Sequence, residues 1–139
     1  MKLDALIQFY NDFTPASIER FPEFYSADAS FKDPFNDVRG LPAIQRIFTH
    51  MFTQVAEPRF VVTEQVVDAG GAMLLWEFSF RFKPGAGEKQ LIRGVSHLKF
   101  DAEGKVSYHR DYWDTTEELY VKLPFLGGLF RAFHKMFSP

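Results

Sequence analysis

A chain of 139 residues, 46% of them hydrophobic and 24% charged, fits one domain built on a single sizeable core. Its net charge is −2 with both signs mixed along the chain, so bulk electrostatics give no case for a nucleic-acid partner. The absence of cysteine excludes disulfides, thiolate chemistry and cysteine zinc sites, and it suits a reducing cytoplasm.

The N-terminus, Met1 to Ala5, carries an early acid and no long apolar run, so it does not read as a signal peptide. Leu3, Leu6, Ile7, Tyr10 and Phe13 recur at helical spacing, with Asp4 near the start where a carboxylate suits the helix dipole. Thr14-Pro15 ends this helix. A second, limited by Pro22, is expected from about Ser17 with Ile18, Phe21, Phe24 and Tyr25 on it. Ala29 to Phe35 reads as a short extended piece, since Pro34 biases Asp33 toward extended geometry. Asn36 to Gly40 is the turn after it. Leu41 to Val55 is predicted as a third helix, with Pro42 in its first turn and Ile44, Ile47, Phe48, Met51 and Phe52 along one side.

Beyond residue 58 the apolar period changes from about 3.6 to 2. Arg59 to Val67 is β-rich and runs into Asp68-Ala69-Gly70-Gly71, a hairpin signal. Met73 to Phe82 alternates Trp76, Phe78, Phe80 and Phe82 against Glu77, Ser79 and Arg81. Lys83 to Gly87 is the next turn, and Gln90 to Phe100 then sets Ile92, Gly94, Ser96, Leu98 and Phe100 against Leu91, Arg93, Val95, His97 and Lys99. Asp101 to Gly104 turns into the last strand. Helices followed by a four-strand meander predict an α+β domain with the helices on one face of a mostly antiparallel sheet.

The last strand, Val106 to Trp113, puts ionisable groups on both faces. Ser107, His109, Asp111 and Trp113 share one, Val106, Tyr108, Arg110 and Tyr112 the other, and a buried charge is costly unless paired or used. Alternation alone does not say which face meets the core. Arg110 is expected to pair with Glu77 or another strand acid. A metal site has no support in the spacing of His50, His97, His109 and His134, and no cofactor is expected.

The order of elements over residues 1–118 resembles the cone-shaped NTF2-like superfamily, which includes ketosteroid isomerases, scytalone dehydratase and SnoaL-like polyketide cyclases. Phe24 to Phe35, with Asp33 before Pro34, is similar to the isomerase segment whose Asp is the general base. Tyr10 lies where the isomerase's oxyanion Tyr falls. Gly94 to Phe100 resembles the strand carrying the isomerase's protonated Asp, but Ser96 stands at the matching position. The neutral carboxyl donor is missing there, so steroid isomerisation is not implied. The same register turns His109, Asp111 and Trp113 toward the pocket, with His109 and Asp111 about 7 Å apart by strand rise.

The resemblance thus implies a small apolar, carbonyl-containing ligand and possible isomerase, cyclase or dehydratase chemistry by Asp33, His109, Asp111 and Tyr10. Trp113, Ser96, Phe78, Phe80, Trp76 and Phe35 would line the pocket. The alternative is a non-catalytic module that binds a ligand, a protein or a membrane. Each residue has a plainer reading too: Asp33 as a turn residue, His109 and Asp111 as a structural pair, Tyr10 as a core residue. A homodimer through Val95, His97, Tyr108, Arg110 and Tyr112 is implied by the same likeness.

The tail, residues 119–139, reads as an extension to the domain. Asp114 to Glu117 looks like a helix start, Leu119 to Lys122 adds about one turn, and Pro124 interrupts. Leu126, Leu129, Phe130, Phe133, Met136 and Phe137 then share one side of a helix, away from Arg131, His134 and Lys135. Such a helix can lie on a membrane surface, cap the pocket mouth or pack on a partner subunit.

Overall fold

The computed structural model describes residues 3–83, 87–118 and 126–138. Its elements run α1 (Leu3–Asn11), a 3-10 helix (Pro15–Arg20), α2 (Phe21–Phe24), β1 (Tyr25–Lys32), β2 (Asp37–Arg39) and α3 (Leu41–Gln54). Then follow β3 (Val55–Asp68), β4 (Gly71–Phe82), β5 (Gln90–Phe100), β6 (Val106–Tyr112), α4 (Thr115–Glu118) and α5 (Leu126–Phe137). The six strands form one sheet in the order β2-β1-β6-β5-β4-β3. Strands β3 to β6 are the expected antiparallel meander, and β1 adds to it by pairing parallel with β6. This is the α+β cone.

The apolar stripe of α1 and the inner face of the sheet close on one another. Leu6, Phe9, Phe13, Phe21, Phe24, Phe31, Ile44, Leu74 and Leu98 are buried in one cluster, each fully buried side chain stabilising by roughly 1.5–3 kcal/mol. Two polar ties fix the helices: Asn11 Oδ1 accepts from the Val62 amide of β3 at 2.9 Å, and Gln45 Nε2 of α3 donates to the Ile18 carbonyl of the 3-10 helix at 2.9 Å. Gly40, at φ 95°, holds the left-handed turn into α3, and Pro42 occupies the first turn as predicted.

Local expectations are corrected at three places. Asp37–Arg39, expected within a turn, is the strand β2, paired antiparallel with β1. Tyr25 opens β1 instead of belonging to the second helix. Its offset from Phe21 and Phe24 fits a helical face, but the chain becomes extended at Tyr25, φ −118° and ψ 142°. Val106 is buried in the core instead of sharing the face of Tyr108. The cause is a bulge: Phe100 pairs with Val106 and Lys99 with Tyr108, so Ser107 is the extra residue and alternation restarts after it.

From Tyr108 onward the faces fall as the resemblance implies, with His109 buried and Arg110 outward. Arg110 does not meet Glu77. Its guanidinium lies over the Tyr112 ring, 4.6 Å from the centroid. Asp114 caps α4 by accepting from the Glu117 amide at 3.0 Å, as expected. The tip of the Lys83–Gly87 turn and the Leu119–Lys122 segment lie outside the described residues.

Candidate active site

Four strands and one helix bring a row of polar side chains into the aromatic interior. From α1, the Tyr10 hydroxyl meets the Tyr25 hydroxyl of β1 at 2.5 Å. Tyr25 meets His109 Nδ1 of β6 at 2.6 Å, and His109 Nε2 meets Asp111 Oδ1 at 2.6 Å. The same Asp111 oxygen accepts from Ser96 of β5 at 2.5 Å, and Ser96 Oγ accepts from Trp76 Nε1 of β4 at 2.9 Å.

The direction of each bond follows from the groups. An ionised carboxylate only accepts, so His109 Nε2 carries the proton it shares with Asp111, and Nδ1 accepts from Tyr25. Burial raises the pKa of the Tyr10 and Tyr25 hydroxyls well above the usual phenol value, keeping both as neutral donors. Tyr10 therefore donates to Tyr25, Tyr25 to His109 and His109 to Asp111, while Trp76 donates to Ser96 and Ser96 to Asp111. Both arms converge on one carboxylate oxygen.

Asp111 also stands where two spaces meet. A small inner cavity of about 40 Å³ is lined by Tyr10, Phe13, Phe60, Trp76, Ser96, His109 and Asp111 among others. A larger cleft of about 550 Å³, of the size that takes a small organic ligand, is lined by Asp33, Phe35, Trp76, Phe78, Phe80, Asp111 and Trp113 among others. Among the described residues no Lys or Arg lines the cleft. Phe60, Phe78 and Phe80 stack in succession along its wall, with centroids 4.4 Å and 5.1 Å apart, and Phe35 meets Trp113 edge-on at 5.6 Å.

Of the predicted residues, Asp33, Asp111, Trp76, Phe78, Phe80, Phe35 and Trp113 thus border the cleft, while Tyr10, His109 and Ser96 lie behind it. Asp33 is also a turn residue. Its Oδ1 accepts from the Phe35 amide at 2.8 Å, the Asn36 amide at 2.7 Å and Asn36 Nδ2 at 3.1 Å. Burial raises its pKa above the ordinary carboxylate value, its hydrogen bonds pull the other way, and the charge of Asp111 adds to the rise. Among the described residues no cluster of three or more His, Cys, Asp or Glu could hold a metal.

Two residues of the site escaped sequence reasoning. Tyr25 was hidden by its helical spacing from Phe21. Gly94 was read only as one position of the β5 alternation, but it pairs directly with Trp76, and a Cβ there would meet the indole at 2.5 Å. Only glycine lets that ring lie across β5 and reach Ser96. No local pattern in the sequence announces either pairing. Phe48, Phe60, Met51, His50 and Gln54 also border the cleft, brought there by α3 and β3.

A family model described as a SnoaL-like domain matches residues 6–109. The fold recurs in solved structures. One is an NTF2-like protein of unknown function from Burkholderia pseudomallei, at TM-score 0.72 and 16% identity over 84% of this chain and 95% of that one. Another is TerC co-crystallised with polyporic acid, at TM-score 0.71 and 16% identity over 83% and 92%. A third, from Catenulispora acidiphila, is a hypothetical protein of ketosteroid isomerase-like fold in complex with trimethylamine, at TM-score 0.69 and 13% identity over 84% and 88%. No curated protein matches this chain.

Proposed function

Because this chain belongs to the SnoaL-like domain family, we propose that it binds a small apolar carbonyl compound in the aromatic cleft and moves a proton on it by cofactor-independent acid/base chemistry. Isomerisation, cyclisation and dehydration all begin with that step. The observation that carries the reading is the position of Asp111, where a polar chain ends on a carboxylate that borders an apolar cleft. Two fold relatives hold small organic molecules, which supports the cleft as the ligand site.

In this reading Asp111 is the base. Oδ1 is held by His109 and Ser96, and among the described residues no bond is made to Oδ2, which is left for the ligand. The C–H bond next to the carbonyl breaks, its proton goes to Asp111, and its electron pair moves onto the carbonyl oxygen. Returning the proton to a different carbon completes an isomerisation. His50 and Gln54, presented by α3 at the cleft, are among the donors available to that oxygen, with Trp113 and Asn36. His109, Tyr25 and Tyr10 position the carboxylate from behind, and Asp33 is the second acid of the cleft.

Small molecules carried through purification, identified by mass spectrometry, supply the test compound. Proton NMR in D2O then follows exchange at the carbon beside its carbonyl. The reading expects exchange with the wild-type protein and loss in Asp111→Asn with ligand binding kept. Equal exchange in both would overturn it.

A second reading, a non-catalytic binding module, is favoured by one observation: no buried side-chain polar atom among the described residues lacks a partner. It predicts retained ligand without exchange. A homodimer through the outer sheet face, where His97, Tyr108, Arg110 and Tyr112 stack in pairs, predicts twice the 16.1 kDa chain mass by light scattering. A monomer would contradict it.

A further inference from the structure

Among the described residues none from the C-terminal helix α5 lines either the cleft or the inner cavity. Its apolar side chains are left outward: Leu129 is 54% exposed, Phe133 49%, Met136 70% and Phe137 82%. These positions fall at i, i+4, i+7 and i+8 and form one stripe along the helix. Arg131, His134 and Lys135 are exposed beside it, and the segment Leu126 to Phe137 contains no acid. In a chain whose net charge is −2, this is a local concentration of positive charge.

From these observations we propose that α5 docks the protein on the surface of a bilayer containing anionic lipid. The apolar stripe enters the boundary between headgroups and acyl chains while the basic side chains remain at the headgroups. The charge pattern favours this occupant: exposed basic side chains border the stripe, and the helix carries no acid to repel lipid phosphates. Among the described residues no helix is long and apolar enough to cross the membrane, so the contact is peripheral. Arg131 and Lys135 each strengthen partition onto an anionic surface about fivefold at low salt.

The test is co-sedimentation of the full chain with large unilamellar vesicles of phosphatidylcholine alone and of phosphatidylcholine mixed with phosphatidylglycerol. Binding is expected to be about tenfold or more stronger on the anionic vesicles and to weaken as salt is raised. Arg131→Gln with Lys135→Gln should remove the preference for anionic lipid. Phe133→Ser with Phe137→Ser should remove binding altogether while leaving the melting temperature unchanged, since both side chains are exposed. The proposal is overturned if the wild-type protein stays in the supernatant with anionic vesicles, or if the Phe133→Ser, Phe137→Ser variant binds as the wild type does. A lipid-indifferent dimer that this variant turns into a monomer would assign the face to a second copy and overturn it equally.

Discussion

The two ends of the cone hold their carboxylates in opposite ways. At the closed end Asp111 is fixed by Ser96 across the sheet and by His109 of its own strand, which is itself held by the distant Tyr25 and Tyr10, with Trp76 behind Ser96. At the mouth Asp33 is fixed by its own loop, through the amides of Phe35 and Asn36 and the side chain of Asn36. An acid held by tertiary contacts is exposed to any change in the packing around it. An acid held by a local turn depends on little beyond its neighbours. The two should therefore respond very differently to substitution.

Chemistry gives the widest separation. Asp111→Asn keeps an acceptor oxygen for Ser96 and His109 but removes the base, and proton exchange on the ligand should fall by about 10²–10⁴-fold. Asp33→Asn should leave it within about tenfold on the proposed assignment of Asp111 as the base. Deuterium exchange followed by NMR measures both. A larger loss in Asp33→Asn than in Asp111→Asn would reverse the assignment of the two carboxylates.

Stability should separate the links within the closed end. Tyr25→Phe removes the central hydroxyl and strands both the Tyr10 hydroxyl and His109 Nδ1, a cost of about 2–4 kcal/mol for two buried groups without partners. Tyr10→Phe removes only the outermost donor and should cost about 1 kcal/mol. Urea unfolding of the pair is the measurement, and equal costs would mean that the chain does not run through Tyr25. Gly94→Ala sets a methyl against the Trp76 ring, and overpacking there should cost about 1–3 kcal/mol with a changed near-ultraviolet spectrum from the indole. A silent substitution would show that Trp76 has room elsewhere and does not need Ser96.

The same contrast decided what the sequence could reveal. Residues held by local rules were legible: Asp33 before Pro34 as a turn residue, Asp114 at a helix start, and the alternating Trp76, Phe78 and Phe80 as the inner face of β4. The meander could be read because period 2 and turn residues are properties of short stretches. What hid was set by distant partners. Tyr25 fits a helix by spacing, and only parallel pairing of β1 with β6 makes it a strand residue under His109. Val106 faces the core because of a bulge at Ser107 that no pattern in β6 announces. Gly94 matters only once β4 lies beside it.

The smallest expected effect is the most discriminating about the mouth. The pKa of Asp33 is raised by burial and by the charge of Asp111, so the folded state holds the Asp33 proton more tightly than the unfolded chain does. The sign follows from linkage: stability from this group is fully present below the unfolded value of 3.8 and is lost as pH rises through the higher folded value. At neutral pH the charged Asp33 is thus a net burden on the fold. Asn keeps the oxygen that accepts from the Phe35 and Asn36 amides and drops the charge. Asp33→Asn should therefore melt slightly above the wild type at pH 7, with the difference closing as the pH falls below the folded value. Melting curves of both proteins from pH 7 down to acid conditions measure it. A wild type more stable at neutral pH would mean that the turn draws net strength from the ionised carboxylate, and the mouth would then be held by charge instead of by the shape of its loop.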